Sequence, residues 1–413
     1  MAKSDGHNEQ CTIFAQTERS SQIHLDDAEV QPKITQKRSG CVMDNVQWKK
    51  VKLGDCLTIG NGCDYKHLKE GDIPVFGTGG IMTHVDGYLY DGETVCIGRK
   101  GTINHPMYHN GKIWTVDTLF YTHSFIDAIP KFVYYAFCNI DWNKYNEATG
   151  VPSLSKETIY KIEISVPSLP AQRRIAAILS SADKVIEQTR QLIGKYKSIK
   201  QGMMEDLLKP KEGWKKVKLG DCLKQKPDYG INAPAVPYDN HLPTYLRITD
   251  ITEDGYYSKK DIVSVASPDA MKYVMEEGDL VFARTGASVG KTYLYNPDDG
   301  ILVFAGFLIR VKTDKNLLFP EFFKYQTQTP QYKNWIAANS MRTGQPGING
   351  NEYEEYMFYL PHKNSKPDVV EQCLIAKILS GIDRKIEAEE KVLEKYTAIK
   401  KGLMEKLLNE KQL

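Results

Sequence analysis

No stretch of this sequence stays apolar for the ~18 residues that a membrane-crossing helix needs. The N-terminus, Met1-Ala2-Lys3-Ser4-Asp5, begins no apolar run of the signal-peptide kind. The eight cysteines (11, 41, 56, 63, 96, 138, 222, 373) include no Cys-x-x-Cys pair and no Cys/His cluster at zinc spacing. They read as reduced thiols of a cytoplasmic protein without membrane association. Charge of one sign is missing too: 54 Lys and Arg stand against 52 Asp and Glu, a net charge of +2 over 413 residues. That balance excludes a polybasic, histone-like chain but leaves room for a local nucleic-acid surface.

Catalytic signatures are equally scarce. Gly286-Ala287-Ser288-Val289-Gly290-Lys291-Thr292 imitates a phosphate loop, but only three residues separate its glycines where the motif needs four. Tyr293-Leu294-Tyr295-Asn296-Pro297 then reads as a strand, so no helix N-terminus awaits a phosphate. Phe76-Gly77-Thr78-Gly79-Gly80 has the wrong spacing for a methyl-donor loop, and no Asn/Asp-Pro-Pro-aromatic sequence of amino-methyltransferases occurs. Carboxylates and histidines are scattered. The chain is expected to be non-catalytic, with no cofactor and no metal of its own.

What is present is a duplication. Trp48-Lys49-Lys50-Val51-Lys52-Leu53-Gly54-Asp55-Cys56-Leu57 returns unchanged at 214–223, an offset of 166. Gln172–Leu208 returns as Gln372–Leu408 at an offset of 200, with 18 of 37 positions identical. Weaker echoes lie between: Pro130-x-Phe132-x-x-Tyr135 against Pro320-x-Phe322-x-x-Tyr325, and Thr149-Gly150-x-Pro152 against Thr343-Gly344-x-Pro346. The plan is one frame around two unlike middles. Its expected segments are 1–42, a flexible extension or an upstream translational start; 43–165 and 211–366, two mixed α/β domains; and 166–210 and 367–413, two long helices.

The long segments carry apolar residues at steps of three and four, a coiled-coil-like stripe. Pro170 stands where a first-turn proline is tolerated, and Asp368 precedes Glu371 by three residues as in a capping box. A ~37-residue helix is roughly 55 Å long at 1.5 Å per residue. Two of them should pair antiparallel, with pseudo-two-fold symmetry, through Ile175, Ile178, Leu179, Ile186, Tyr196 and Ile199 on one and Ile375, Ile378, Leu379, Ile386, Tyr396 and Ile399 on the other. Expected strands are Ile73–Phe76, Thr94–Gly98 and Thr115–Thr122 in the first domain, and Asp279–Arg284, Thr292–Tyr295 and Ile301–Val311 in the second. An aromatic helix opens near Pro130 and near Pro320, and its rings read as core.

Basic and small polar residues gather in loops at strand ends. They are Arg99, Lys100, His105, Ser153 and Lys156 in the first copy, and Arg284, Thr285, Ser288, Lys291, Arg342, Thr343, Gln345 and Asn349 in the second. Such side chains can pair with base edges or phosphates. No domain is strongly basic: 45–165 is net −1 (12 basic, 13 acidic) and 213–366 is net +1 (19 basic, 18 acidic). A DNA-binding role would therefore need other chains to supply much of the phosphate neutralisation.

On the paired Trp-Lys-x-Val-x-Leu-Gly-Asp starts, the paired Gln-x-x-Ile-Ala-x-Ile-Leu-Ser helix openings, Pro167-Ser168-Leu169-Pro170-Ala171-Gln172, and Thr115-Val116-Asp117-Thr118-Leu119-Phe120 after Gly98-Arg99-Lys100-Gly101, the chain resembles specificity subunits of type I restriction-modification systems. The resemblance covers about 43–413; the second helix departs from it at 361–368, which is longer and more polar. It implies that each variable domain is a target recognition domain reading half of a bipartite, asymmetric double-stranded DNA target, with the helices as a ruler. It implies as partners two modification (methyltransferase) subunits and ATP-dependent restriction (translocase and nuclease) subunits. The alternative reading is a coiled-coil protein-interaction scaffold that reads no bases.

Overall fold

The computed structural model describes residues 47–341 and 344–408. The expected extension at 1–42 lies outside them.

The ten-residue repeat makes the same local structure twice. Lys49–Lys52 pairs antiparallel with Glu163–Val166, and Lys215–Lys218 pairs antiparallel with Met357–Leu360. A helical turn follows each strand, at Leu53–Cys56 and Gly220–Cys222. Its first amide is taken by a carbonyl at equivalent places, Leu53 N to Ile162 O and Leu219 N to Tyr356 O, both at 2.9 Å. Each variable region is thus closed at its base by its own two ends, and a long helix begins a few residues after the closing strand.

Those helices run Leu169–Leu207 and Val369–Leu408. Pro170 sits in the first turn of one, and the Asp368 carboxylate accepts from the Glu371 amide at the start of the other (3.0 Å). Their cross-contacts descend in one sequence as they climb in the other: Asp183 meets Lys400, Lys197 meets Glu390, and Lys200 meets Asp383. The pair is therefore antiparallel. It is also two-fold in sequence, because Asp183 and Asp383, like Lys200 and Lys400, are repeats of each other.

The seam differs by one residue from the expected stripe. Ile175, Leu179, Ile186, Thr189 and Ile193 are buried on the first helix, as are Ile375, Leu379 and Ile386 on the second. Ile178, Tyr196 and Tyr396 are half-buried, while Ile378, Ile199 and Ile399 are exposed. The heptad spacing from Gln172 through 175, 179, 186, 189 and 193 runs on to position 200. Lys200 and Lys400 hold the places expected of Ile199 and Ile399, and from there they reach the opposite helix.

A short brace helix in each region, Pro130–Asn139 and Pro320–Gln326, fastens it to this pair. Phe132, Tyr135, Phe322 and Tyr325 are all core. The amide before each brace helix donates to a fully buried glutamine, Ile129 N to Gln172 Oε1 (2.8 Å) and Phe319 N to Gln372 Oε1 (2.9 Å). The phenols then donate to the seam aspartates, Tyr135 to Asp183 (2.7 Å) and Tyr325 to Asp383 (2.8 Å). Each carboxylate also accepts from a lysine of the other helix, Lys400 at 2.5 Å and Lys200 at 2.8 Å. Burial, joined by the Asp183 bond and opposed by the Ser180 hydroxyl, pushes the Tyr135 phenol up; burial and Asp383 do the same to Tyr325. Both phenols stay donors.

The first region holds a six-stranded sheet in the order Thr58–Asn61, Leu119–His123, Tyr90–Gly98, Met107–Thr115, Ile73–Gly77, Gly80–Val85. The second holds two four-stranded sheets. One, in the order Asp228–Tyr229, Leu308–Lys312, Asp279–Ala283, Thr292–Leu294, matches the first four strands of the first region. The other, Ala235–Pro237, Val263–Val265, Thr244–Leu246, Leu302–Phe304, has no counterpart there. Two expected strands are each two. Thr115–Thr122 breaks where Leu119 N turns back to Val116 O (2.9 Å), and Ile301–Val311 breaks where Leu308 N turns back to Ala305 O (2.8 Å). In the second, the apolar run Ile301–Ile309 conceals the turn, because the turning residues Ala305, Gly306 and Phe307 are themselves apolar or small.

The two junctions differ in burial. The Lys200–Asp383 side chains are each 11% exposed, against 21% and 34% for Lys400 and Asp183. Asp383→Asn, which removes the charge opposite Lys200 but leaves it donating to Gln328 Oε1 (3.2 Å) and still accepts from Tyr325, is expected to cost about 3 kcal/mol in denaturant unfolding. Asp183→Asn should cost clearly less, and equal losses would contradict this ranking.

Candidate nucleic-acid interface

At the end of the central strand of each shared sheet, the chain turns through an arginine and reaches a glycine two residues on: Arg99-Lys100-Gly101 and Arg284-Thr285-Gly286. Three main-chain hydrogen bonds fix the turn, and all three recur. Arg99 N donates to Thr118 O (2.8 Å), as Arg284 N does to Phe307 O (3.0 Å). The arginine carbonyl accepts from Leu154 N in one and Ile348 N in the other, both at 2.9 Å. Gly101 N donates to Pro152 O (2.8 Å), and Gly286 N to Pro346 O (2.9 Å). Isolated bridges pair Lys100 with Ser153 and Thr285 with Gly347. The weak Thr-Gly-x-Pro echo is thus the clasp of the arginine turn. Beyond it, Ser155 and Asn349 cap the next short helix, accepting from Thr158 N (3.1 Å) and Glu352 N (3.0 Å).

With the backbone held identically, the side chains on it differ. Lys100 faces Ser153 in the first turn, and Thr285 faces Gly347 in the second. Arg99 is exposed; its guanidinium lies 5.8 Å from the Phe120 ring and donates to Asp117 O at 3.4 Å. The Arg284 guanidinium lies 5.0 Å over the Tyr229 ring, and Tyr229 in turn accepts the Gly350 amide (3.0 Å). An open cleft of about 590 Å³, lined by Lys66, Thr78, Met82, Asp117 and Thr118 among others, adjoins the first turn.

The structure brings Arg99, Lys100 and Ser153 together, and likewise Arg284, Thr285 and Gln345, whose carboxamide lies over Gly286. Ser288 ends the short helical turn that starts at Gly286. His105 is exposed farther along the loop. Three of the expected contact residues also have intramolecular partners. Lys156 donates to Ile59 O (2.6 Å), Lys291 pairs with Glu253 (2.7 Å), and Asn349 is the helix cap. Arg342 and Thr343 lie outside the described residues. Sequence reading missed Tyr229, Phe307 and Thr118; the first two stand in no motif, and Thr118 was read as mid-strand. Thr292–Leu294 is a strand after Gly290-Lys291, so the phosphate-loop mimic has no helix behind it. Among the described residues no three His, Cys, Asp or Glu side chains are grouped to hold a metal, and no helix is long and apolar enough to cross a membrane.

Two sheets, each presenting a clasped arginine turn, are thus carried on one antiparallel helix pair. The family model of the type I restriction modification DNA specificity domain matches residues 45–195 and 211–397. The specificity subunit of the type I restriction enzyme MjaVIII of Methanocaldococcus jannaschii is 25% identical over 356 residues, 78% of this chain and 78% of that one. A putative type I specificity subunit of Haemophilus influenzae is 21% identical over 300 residues, covering 67% of this chain and 74% of that relative. In fold, the crystal structure of the type I restriction-modification S subunit from M. genitalium superposes with a TM-score of 0.66 at 17% identity, over 89% of this chain and 97% of that one. The chain belongs to the type I restriction-modification DNA specificity family. It is a non-catalytic specificity subunit, and DNA sequence recognition is its work.

A Cβ on Gly98, just before the first arginine, would stand 2.1 Å from Thr102 O, whereas one on Gly150 meets nothing within 4 Å. Gly98→Ala should cost about 1–3 kcal/mol in unfolding and Gly150→Ala almost nothing. An unchanged unfolding midpoint for Gly98→Ala would refute the tight loop.

Proposed function

We propose that the chain reads a bipartite, asymmetric double-stranded DNA target, one half through each variable region, with the helix pair fixing the gap between halves. The recurrence of the clasped arginine turn in two regions of unlike sequence carries this reading: one presentation device, repeated with different side chains, suits two half-sites of different sequence. Arg99 and Arg284 are the base-reading candidates, since a guanidinium held at a loop tip matches the guanine edge in the major groove. Lys100, Ser153, Thr285, Ser288 and Gln345 are the supporting contacts, to bases or phosphates. The segments 43–165 and 211–366 act as the two recognition domains, and 166–210 and 367–413 as the ruler.

We further infer that the chain directs two adenine-methyltransferase subunits, and ATP-dependent restriction subunits, to that target. Its near-neutral charge supports this, because DNA grip then comes from bound partners.

Arg99→Ala and Arg284→Ala are each expected to weaken binding of the cognate duplex about 10- to 100-fold, as loss of a bidentate contact does. Fluorescence anisotropy of the assembled complex on the methylated motif measures it. If neither change alters binding or methylation, the scaffold reading gains. Deleting four residues, about one turn, from one long helix should change the spacer or abolish modification, and an unaltered methylated motif argues against the ruler.

A further inference from the structure

Phe307 stands where the first region has Thr118: each gives its carbonyl to the arginine amide of its turn. The ladder below it pairs Asp279 with Lys312 and Ala283 with Leu308, so the Arg284 N to Phe307 O bond extends the same register by one pair. The Arg284 N to Phe307 O bond (3.0 Å) sets the Phe307 backbone directly beside that of the proposed reading arginine.

The Phe307 backbone is fixed on both sides. Gly306 N donates to Ile231 O and Leu308 N to Ala305 O, both at 2.8 Å, and the flanking strands belong to different sheets. Yet the residue is 55% exposed. A lone exposed apolar residue needs no explanation on an ordinary surface. This one is rigidly presented beside an arginine already stacked on Tyr229, in a turn otherwise furnished with hydrogen-bonding groups.

We propose that Phe307 is a specificity-determining residue that packs its ring on the C5-methyl of a thymine, in the base pair next to the one Arg284 reads. In the major groove that methyl alone among the base-edge groups is apolar, and phenylalanine is one of the side chains suited to it. Guanine contact by Arg284 and methyl contact by Phe307 make two adjacent readouts from one turn. The inference rests on the DNA-reading function proposed above.

The test is a deoxyuridine scan. The chain is purified with its methyltransferase partners, and binding is measured on duplexes carrying the methylated motif with each second-half thymine replaced in turn by deoxyuridine, which removes only the methyl. One replacement should weaken binding about fourfold, the value of one buried methyl. Phe307→Ala should weaken binding of the all-thymine duplex by at least as much and be indifferent to that replacement, whereas Phe307→Leu should keep the sensitivity. A Phe307→Ala complex that retains the full deoxyuridine penalty, or a parent insensitive at every second-half thymine, overturns the proposal. If the parent complex does not prefer the motif over a scrambled duplex, the DNA-reading proposal itself fails, and this one with it.

Discussion

The crossed contacts between Asp183 and Lys400 and between Asp383 and Lys200 are the constraint on which the rest of the structure depends. Each carboxylate gathers three parts of the fold. It belongs to one long helix, accepts a lysine from the other, and receives the phenol of the brace helix that carries its own variable region. Apolar seams alone tolerate sliding by a heptad, because each isoleucine finds an equivalent hole. A largely buried charge pair does not, since a slipped register leaves both charges without partners. The fully buried Gln172 and Gln372 then fix where each brace helix starts.

From that frame the logic runs outward to recognition. In each region the central strand of the four shared strands ends at the same arginine turn, held by the same three main-chain bonds. Recognition can vary without loss of the scaffold, because the bonds that hold the turn use no side chain. Each region also adds its own material: the Ile73–Gly77 and Gly80–Val85 hairpin on one side, a second four-stranded sheet on the other. Such an arrangement lets two unlike surfaces be displayed at one geometry.

The sequence reported the frame well and the site partly, for physical reasons. The Trp-Lys strand and the long helices were legible because they keep identical side chains at constant spacing. The helix seam was legible at Ile175, Leu179 and Ile186 and their repeats but not at Ile199 and Ile399, which look apolar and are exposed, while the seam position beside each is taken by a lysine that pairs across it. The equivalence of Arg99 and Arg284 could not be read, since it is written in backbone hydrogen bonds between segments far apart in sequence. Lys156, Lys291 and Asn349 have the right chemistry for DNA, and what the sequence did not reveal is that each also holds an intramolecular partner, Ile59, Glu253 and Glu352. Phe307 fell in the middle of an apolar run and gave no sign of being a turn.

The central claim is that one rigid frame carries two independent readers. The most direct measurement replaces the second variable region with that of a relative, from the Lys215–Lys218 strand to the Met357–Leu360 strand, and maps the methylated sequence in cells that supply the partner subunits. The account predicts that one half-site changes while the other half and the spacer stay as they were. A change in both halves, or a new spacer with the helices untouched, would contradict it.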